Sequence, residues 1–449
     1  MVRNSVYCKI SLPLIMVLSV CYSRAQLLCD TALYSSGISY CVMNVRDYSF
    51  NELLNEGINT MAKQLAEVHA PVKAARPAIK GYIKRHHFIL DKKTRRKTSY
   101  RVINFEYPSH SPSGEPILLS GTVTVPILNG NRPQRMLVYH RILVADNSVS
   151  PSNSLPIEAV LSADNTICVF PDYYGCGVTE GCSLPYAALN YHACCAAECA
   201  LAALEILQDS GCVLDTGFYS WNTGYSQAGG YALAMHRFIE DSLSYSAQKR
   251  LNLRWSFCVN GAYMPSVLYQ SAILNGDMGD TPSVFLQGLQ GLFVSHSEQM
   301  DTLSVRDFLS DKALSSGMDS ILNTYNNGLW GLVDKLDGRD KSHNPADYFS
   351  PSVLDTATDL YKTLMSVLKL DDCASGWSPQ SCVVLCSSRN DHLIPYHIAE
   401  QTYNQLSSAG GCCYLHTPKI NSPHFLSGFF YFLNLLHYNE NELYERWRN

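Results

Sequence analysis

Residues 221–238 read WNTGYSQAGGYALAMHRF. The apolar and aromatic run up to Tyr225 reads as a short buried strand, Gly224, Gly229 and Gly230 loosen a turn, and YALAMHRF continues as a helix. One serine, Ser226, sits at the corner. A strand that turns so sharply into a helix holds its corner residue in a strained conformation and lifts that side chain above the sheet edge. Only small neighbours allow the approach: Gly224 lies two residues before Ser226 and Ala228 two after, the alanine standing where a G-x-S-x-G pattern has its last glycine. The helix aims its first N–H groups, beginning with Gln227, at whatever sits above the serine, where its dipole favours negative charge. These are the needs of an attacking hydroxyl.

Such a hydroxyl needs an imidazole to take its proton and a carboxylate to orient that imidazole, in the chain order serine, acid, histidine for this strand–turn–helix context. VVLCSSRNDHLIPY (383–396) ends a buried strand and leaves Asp391 in the loop just after it. His424 follows in the loop before an apolar C-terminal helix, within GGCCYLHTPKINSPHFLSGFFYFLNLL (410–436). His416, at a strand end, and His392, next to the acid, are the competing imidazoles.

Working outward, SYRVINFEYPS (99–109) and PILLSGTVTVPI (116–127) alternate as antiparallel strands do. QRMLVYH, NTICVFPDY, GFYSWNTGY, LRWSFCVNG and QSCVVLCSS are short apolar runs, mostly separated by helical stretches, as buried parallel strands are. The fold class predicted is α/β, a mostly parallel central sheet flanked by helices. Between Gly261 and Ser381 strand signals are missing and amphipathic helices take over; Leu360, Tyr361, Leu364 and Leu368 share one face. The expected organisation is an export signal over 1–25, a leader region over 26–95, a first core part over 96–264, a helical cap over 265–376 and a second core part over 377–449.

The chain has 449 residues, 46% hydrophobic and 16% charged, with a net charge of −5, enough for a large core. The basic cluster KRHHFILDKKTRRK (84–97) reads as a solvated hairpin, so nucleic acid is not an expected partner. Arg3 and Lys9 precede an apolar run from Ile10 to Val20, and SRA ends at Ala25, which predicts a cleaved signal and a mature chain starting at Gln26, secreted or periplasmic. A lipid anchor on Cys21 is disfavoured by the bulk of Val20, and no later stretch is long and apolar enough to span a membrane. Seventeen cysteines include Cys8 and Cys21 in the signal, so an odd number remains and cannot all pair. Cys29 with Cys41 and Cys373 with Cys382 are the expected local disulfides, whereas Cys194, Cys195 and Cys199 read as small buried residues of an alanine-rich helix.

From VINFEYPSHSPSGEPILLSGTVTVP (102–126) through PDYYGCG, GYSQAGG, RNDHLIPY and SPHF, the sequence resembles the α/β-hydrolase family of secretory lipases and their bacterial relatives over roughly residues 100–430. That resemblance implies an α/β-hydrolase core with a cap inserted before the acid, carboxylic ester hydrolysis, and Ser226 as nucleophile, Asp391 as acid and His424 as base. Ala228 departs from the commoner glycine.

The oxyanion donors expected are the backbone N–H groups of Gln227 and Arg141, the latter in the loop MLVYHRILVADNSVSPS (136–152). His140 is read as shaping that loop and Asp172 as pinning loops by hydrogen bonds. AYMPSVLYQSAIL (262–274) suits an acyl pocket. No phosphate-loop, dinucleotide or zinc pattern is present, so no cofactor and no metal are expected. The expected partner is a small-molecule or lipid ester. A peptidase or acyltransferase using the same three side chains, and a catalytically silent binding protein of the same fold, are the alternatives.

Overall fold

A computed structural model describes residues 38–67, 77, 99–127, 132–142, 150–279, 281–325 and 342–448. The expected signal, Cys29 with its pairing to Cys41, and the basic cluster at 84–97 lie outside them. Among the described residues nine strands form one sheet: β1 (Cys41–Ser49), β2 (Ser99–His110), β3 (Pro116–Ile127), β4 (Arg135–His140), β5 (Thr166–Pro171), β6 (Tyr219–Tyr225), β7 (Leu253–Val259), β8 (Cys382–Cys386) and β9 (Cys413–His416). Their spatial order is β1-β2-β3-β5-β4-β6-β7-β8-β9. The first three pairings in that order are antiparallel, and from β5 onward every pairing is parallel.

The parallel strands read as unbroken apolar runs because both faces of the sheet are covered. In β5, Ile167 and Val169 enter one core while Cys168 and Phe170 enter the other. The first face is covered by α2 (Leu189–Asp209) and α3 (Gln227–Asp241), the second by α1 (Phe50–Glu67), α8 (His424–His437) and α9 (Glu440–Trp447). Helix α2 is buried almost all round, which alanine and cysteine side chains permit; Cys194, Cys195 and Cys199 all lie in the interior.

Between β7 and β8 the described residues form helices joined by turns and loops, with a single isolated bridge, Leu309 to Phe349. The longer helices here are α4 (Pro265–Asn275), α5 (Ser283–Ser295) and α6 (Asp359–Leu368), and α7 (Tyr396–Ser408) follows β8. Helix α5 lies tight on the core: a Cβ on Gly291 would come 2.5 Å from the Tyr186 nitrogen, and one on Gly288 would meet the Tyr269 hydroxyl. In α6, Tyr361, Leu364 and Leu368 are buried as the periodicity predicts, and Leu360 only half so.

Two expectations are corrected. The leader holds a strand, β1, besides its helix; five consecutive exposed residues in it erase the alternation that would have signalled it. Cys382 does not pair with Cys373. It bonds to Cys412, whose Cα lies 4.7 Å away, because β8 and β9 are neighbours, while Cys373 is buried with its thiol donating to the Asp371 carbonyl.

Candidate active site

Ser226 follows the last residue of β6 and precedes the first of α3, with φ 61° and ψ −131°. This left-handed backbone is unusual outside glycine and costs of order 1–3 kcal/mol. The surrounding chain imposes it: the Ser226 N–H donates to the Val259 carbonyl at 2.9 Å, and its own carbonyl accepts from Gly229 N–H at 2.8 Å. A Cβ on Gly224 would sit 2.0 Å from the Ala228 carbonyl oxygen, and one on Gly229 would sit 2.7 Å from the Val259 oxygen. The tight approaches of this turn therefore fall on glycines 224 and 229, while the Ala228 methyl is accommodated in the buried core.

The structure brings together the three side chains singled out in the sequence. His424 Nε2 lies 2.8 Å from Ser226 Oγ, and His424 Nδ1 lies 2.6 Å from Asp391 Oδ2. A carboxylate can only accept, so Nδ1 carries the proton and Nε2 faces the serine hydroxyl as a lone pair. Neither competing histidine is bonded to Ser226: His416 stacks on Trp447, and His392 is exposed.

Each member is held by neighbours that local motifs do not reveal. Asp391 Oδ1 accepts the N–H groups of Leu393 at 3.0 Å and Ile394 at 2.8 Å, and the Asn260 side-chain amide donates to Oδ2 beside the imidazole. Asn260 follows β7 with φ 44°, a left-handed position that asparagine tolerates, and is 1% exposed. The His424 loop is tied to the end of β8 through Ser388, whose hydroxyl donates to the Ser422 carbonyl at 2.6 Å. The Tyr225 hydroxyl donates to the His424 carbonyl, and its ring lies 5.0 Å from the imidazole. The sequence reading missed Asn260, Ser388 and Tyr225. Only the asparagine left a trace, an amide side chain at a strand end next to glycine.

Gln227, as the first residue of α3, has its N–H in the helix's first turn, and its side chain donates to the Tyr186 carbonyl at 2.7 Å. Arg141 directly follows β4, whose His140 stands opposite Gly224 in the parallel ladder, so its backbone lies level with the turn at Ser226. His140 is buried, with Nδ1 2.5 Å from the Tyr173 hydroxyl; burial first, then His192, push its pKa down to about 3. Held neutral in the interior, it is unsuited to act as a base near neutral pH. Asp172 accepts from Ser120 Oγ at 2.5 Å and from Ser152 N–H at 3.1 Å, tying β3 and the loop before residue 157 to the end of β5.

A small cavity of about 50 Å³ opens beside Ser226. Its walls include Tyr186, Leu268, Tyr269, Phe285, Leu393 and Ile394, contributed by the core, α4, α5 and the loop after Asp391. Leu289 and Leu292 of α5 are buried elsewhere in the core. The same residue types recur at Ser256, His236 and Glu240, with Oγ–Nδ1 at 2.7 Å and Nε2–Oε1 at 3.0 Å. There, however, Ser256 and His236 are fully buried, Ser256 lies within a regular strand, and Glu240 also accepts from Trp377 and Ser381. That group is structural. Among the described residues no cluster of three metal-ligating side chains exists.

No protein-family model matches the chain, and no curated protein sequence does. Solved structures match over most of its length. A mutant of the rice cell wall degrading esterase LipA from Xanthomonas oryzae superposes with a TM-score of 0.67 at 19% identity, covering 91% of this chain and 99% of that one. A Legionella pneumophila protein gives 0.65 at 14%, covering 88% and 96%, and Candida antarctica lipase A gives 0.56 at 13%, covering 75% and 76%. The fold is the α/β-hydrolase fold.

Proposed function

We propose that this protein is a serine hydrolase of carboxylic esters, exported from the cell, with Ser226 as nucleophile, His424 as base and Asp391 as the carboxylate that orients it. The observation that carries this reading is the continuous hydrogen-bonded chain from Ser226 Oγ through the imidazole to Asp391 at a strained strand–helix corner. Esterase and lipase neighbours of the same fold support an ester substrate. The predicted signal carries the export reading, and among the described residues no helix is long and apolar enough to cross a membrane.

In this mechanism the Ser226 oxygen attacks the ester carbonyl as His424 Nε2 takes its proton. The carbonyl oxygen becomes an anion, received by the N–H groups of Gln227 and Arg141 in the positive field of the α3 N-terminus. His424 then protonates the departing alcohol, and water repeats the sequence on the acyl-enzyme. Three donors fixed on Asp391 hold its carboxylate where Oδ2 accepts from His424 Nδ1, which keeps the imidazole in the tautomer that both halves require.

The test is a panel of p-nitrophenyl esters from acetyl to palmitoyl, with aminoacyl naphthylamides and acylated polysaccharide, on wild type and Ser226→Ala. Ester turnover that vanishes in the variant is the expected result. Preferential cleavage of the amides, or transfer to an added alcohol outrunning hydrolysis, would replace this reading with a peptidase or an acyltransferase. Folded wild type inert on every substrate would make the protein a binding module.

A further inference from the structure

A second cavity, about 690 Å³, lies between the ends of β7, β8 and β9 and the helices α8 and α9. Sites for small organic molecules have volumes of about 300–1,000 Å³. Val259, Phe430, Tyr431 and Trp447 supply apolar walls, and Lys419 and Arg446 add two cations. Among the described residues neither cation has a carboxylate partner. Glu445, the one acid in the lining, pairs with Arg448 at 2.6 Å. Arg446 stacks over the Tyr438 ring at 4.2 Å, an arrangement that leaves in-plane N–H donors for a planar anion. His416, also in the wall, has its pKa lowered by burial and then by Arg446. An apolar trough with unpaired cations matches an amphiphile that is itself an anion.

The inner end of this cavity touches the residues that hold the Ser226 site. Asn260 lines it, and while its amide nitrogen donates to Asp391, its Oδ1 is buried with no hydrogen-bond partner among the described residues. Ser422 and Ser427, which bracket His424 in sequence and bond to each other at 2.8 Å, also line it.

We propose that this cavity binds an alkyl carboxylate, its head held by Arg446 and Lys419 and its chain laid along Phe430, Tyr431 and Leu433. Resting on the ester-hydrolase reading, occupancy of this cavity bears on the supports of Asp391 and His424, although its ligand is a longer acid than the few-carbon one that the space beside Ser226 would release. The binding itself does not depend on that reading.

The experiment is calorimetric titration of the full-length Ser226→Ala protein with decanoate and, separately, decanol. Decanoate is expected to bind at one saturable site at least tenfold more tightly than decanol. Arg446→Glu, a change at an exposed position, and Leu433→Trp, which fills the trough, should each weaken decanoate at least tenfold with the melting temperature retained in the former. Phe285→Trp, in the cavity beside Ser226, should leave binding unchanged. Equal affinity for decanol, loss in Phe285→Trp with retention in Arg446→Glu, or no binding at millimolar decanoate would each overturn the proposal.

Discussion

At Ser226 the backbone and the side chain are governed by different neighbours. Gly224, Gly229 and Val259 hold the left-handed corner, whereas His424 receives the hydroxyl. Ser226→Ala and His424→Ala should therefore each lower kcat by about 10⁴–10⁶ without unfolding the protein, and the double variant should lose little more, since the pair acts as a unit. Additive losses in single-turnover assays would contradict the pairing. Asn260 makes a subtler claim. Its amide is one of four donors converging on Asp391, and a hydrogen bond to a charged group contributes about 1.5–3 kcal/mol. Asn260→Ala should lower kcat about 10- to 100-fold with KM nearly unchanged; a rise in KM at constant kcat would place it in substrate binding. Its partner lies 131 residues away, so no local pattern could reveal the contact. Ser226, Asp391 and His424 were legible because each is announced by its own strand end, turn or helix start.

Among the elements, α5 decides what can occupy the space beside Ser226. It is seated on the core through Gly288 and Gly291, and it turns Val284 and Phe285 to the cavity while Leu289 and Leu292 pack in the core. A cavity of about 50 Å³ suits an acyl group of a few carbons, so turnover should peak at short-chain esters. Phe285→Ala should move the optimum to longer chains and Phe285→Trp to shorter ones, with about tenfold in kcat/KM for each two methylenes gained or lost. Larger residues at Leu289 or Leu292 should instead overpack the core and lower stability, leaving the chain-length order intact. Measured kcat/KM across the ester series separates these outcomes. At this scale the parallel strands and the inserted helices were readable because their apolar runs and 3.6-residue periodicity follow from burial on two faces or one. Strand β1 was not, because an edge strand exposed along its middle lacks a period to read. The Cys382–Cys412 bond was missed because strand adjacency belongs to topology, and loop length gives no hint of it.

For the whole molecule, the cluster beneath the serine corner sets an acid limit. Burial holds His140 down to about 3 and His192 down to about 4, the two lying against Tyr173 and His192 stacking on Tyr231 at 4.2 Å. Both stay neutral in the fold at pH values where they would protonate in the unfolded chain, near 6.5. Their contribution is therefore complete above about pH 6.5 and falls as pH drops toward 4, by up to about 1.4 kcal/mol per pH unit for each imidazole. Urea midpoints measured between pH 7 and 4.5 should fall less steeply for His192→Phe than for wild type; parallel curves would contradict the burial argument. Reactivity has to be compared across the entire chain, since a buried look-alike, Ser256 with His236 and Glu240, carries a hydroxyl, an imidazole and a carboxylate without access. Intact-mass analysis after treatment with a fluorophosphonate, followed by peptide mapping, tests it most directly. One adduct is expected, on Ser226, absent from folded Ser226→Ala and slowed by orders of magnitude in His424→Ala; an adduct on any other residue, or none on folded wild type, would rule out Ser226 as the nucleophile.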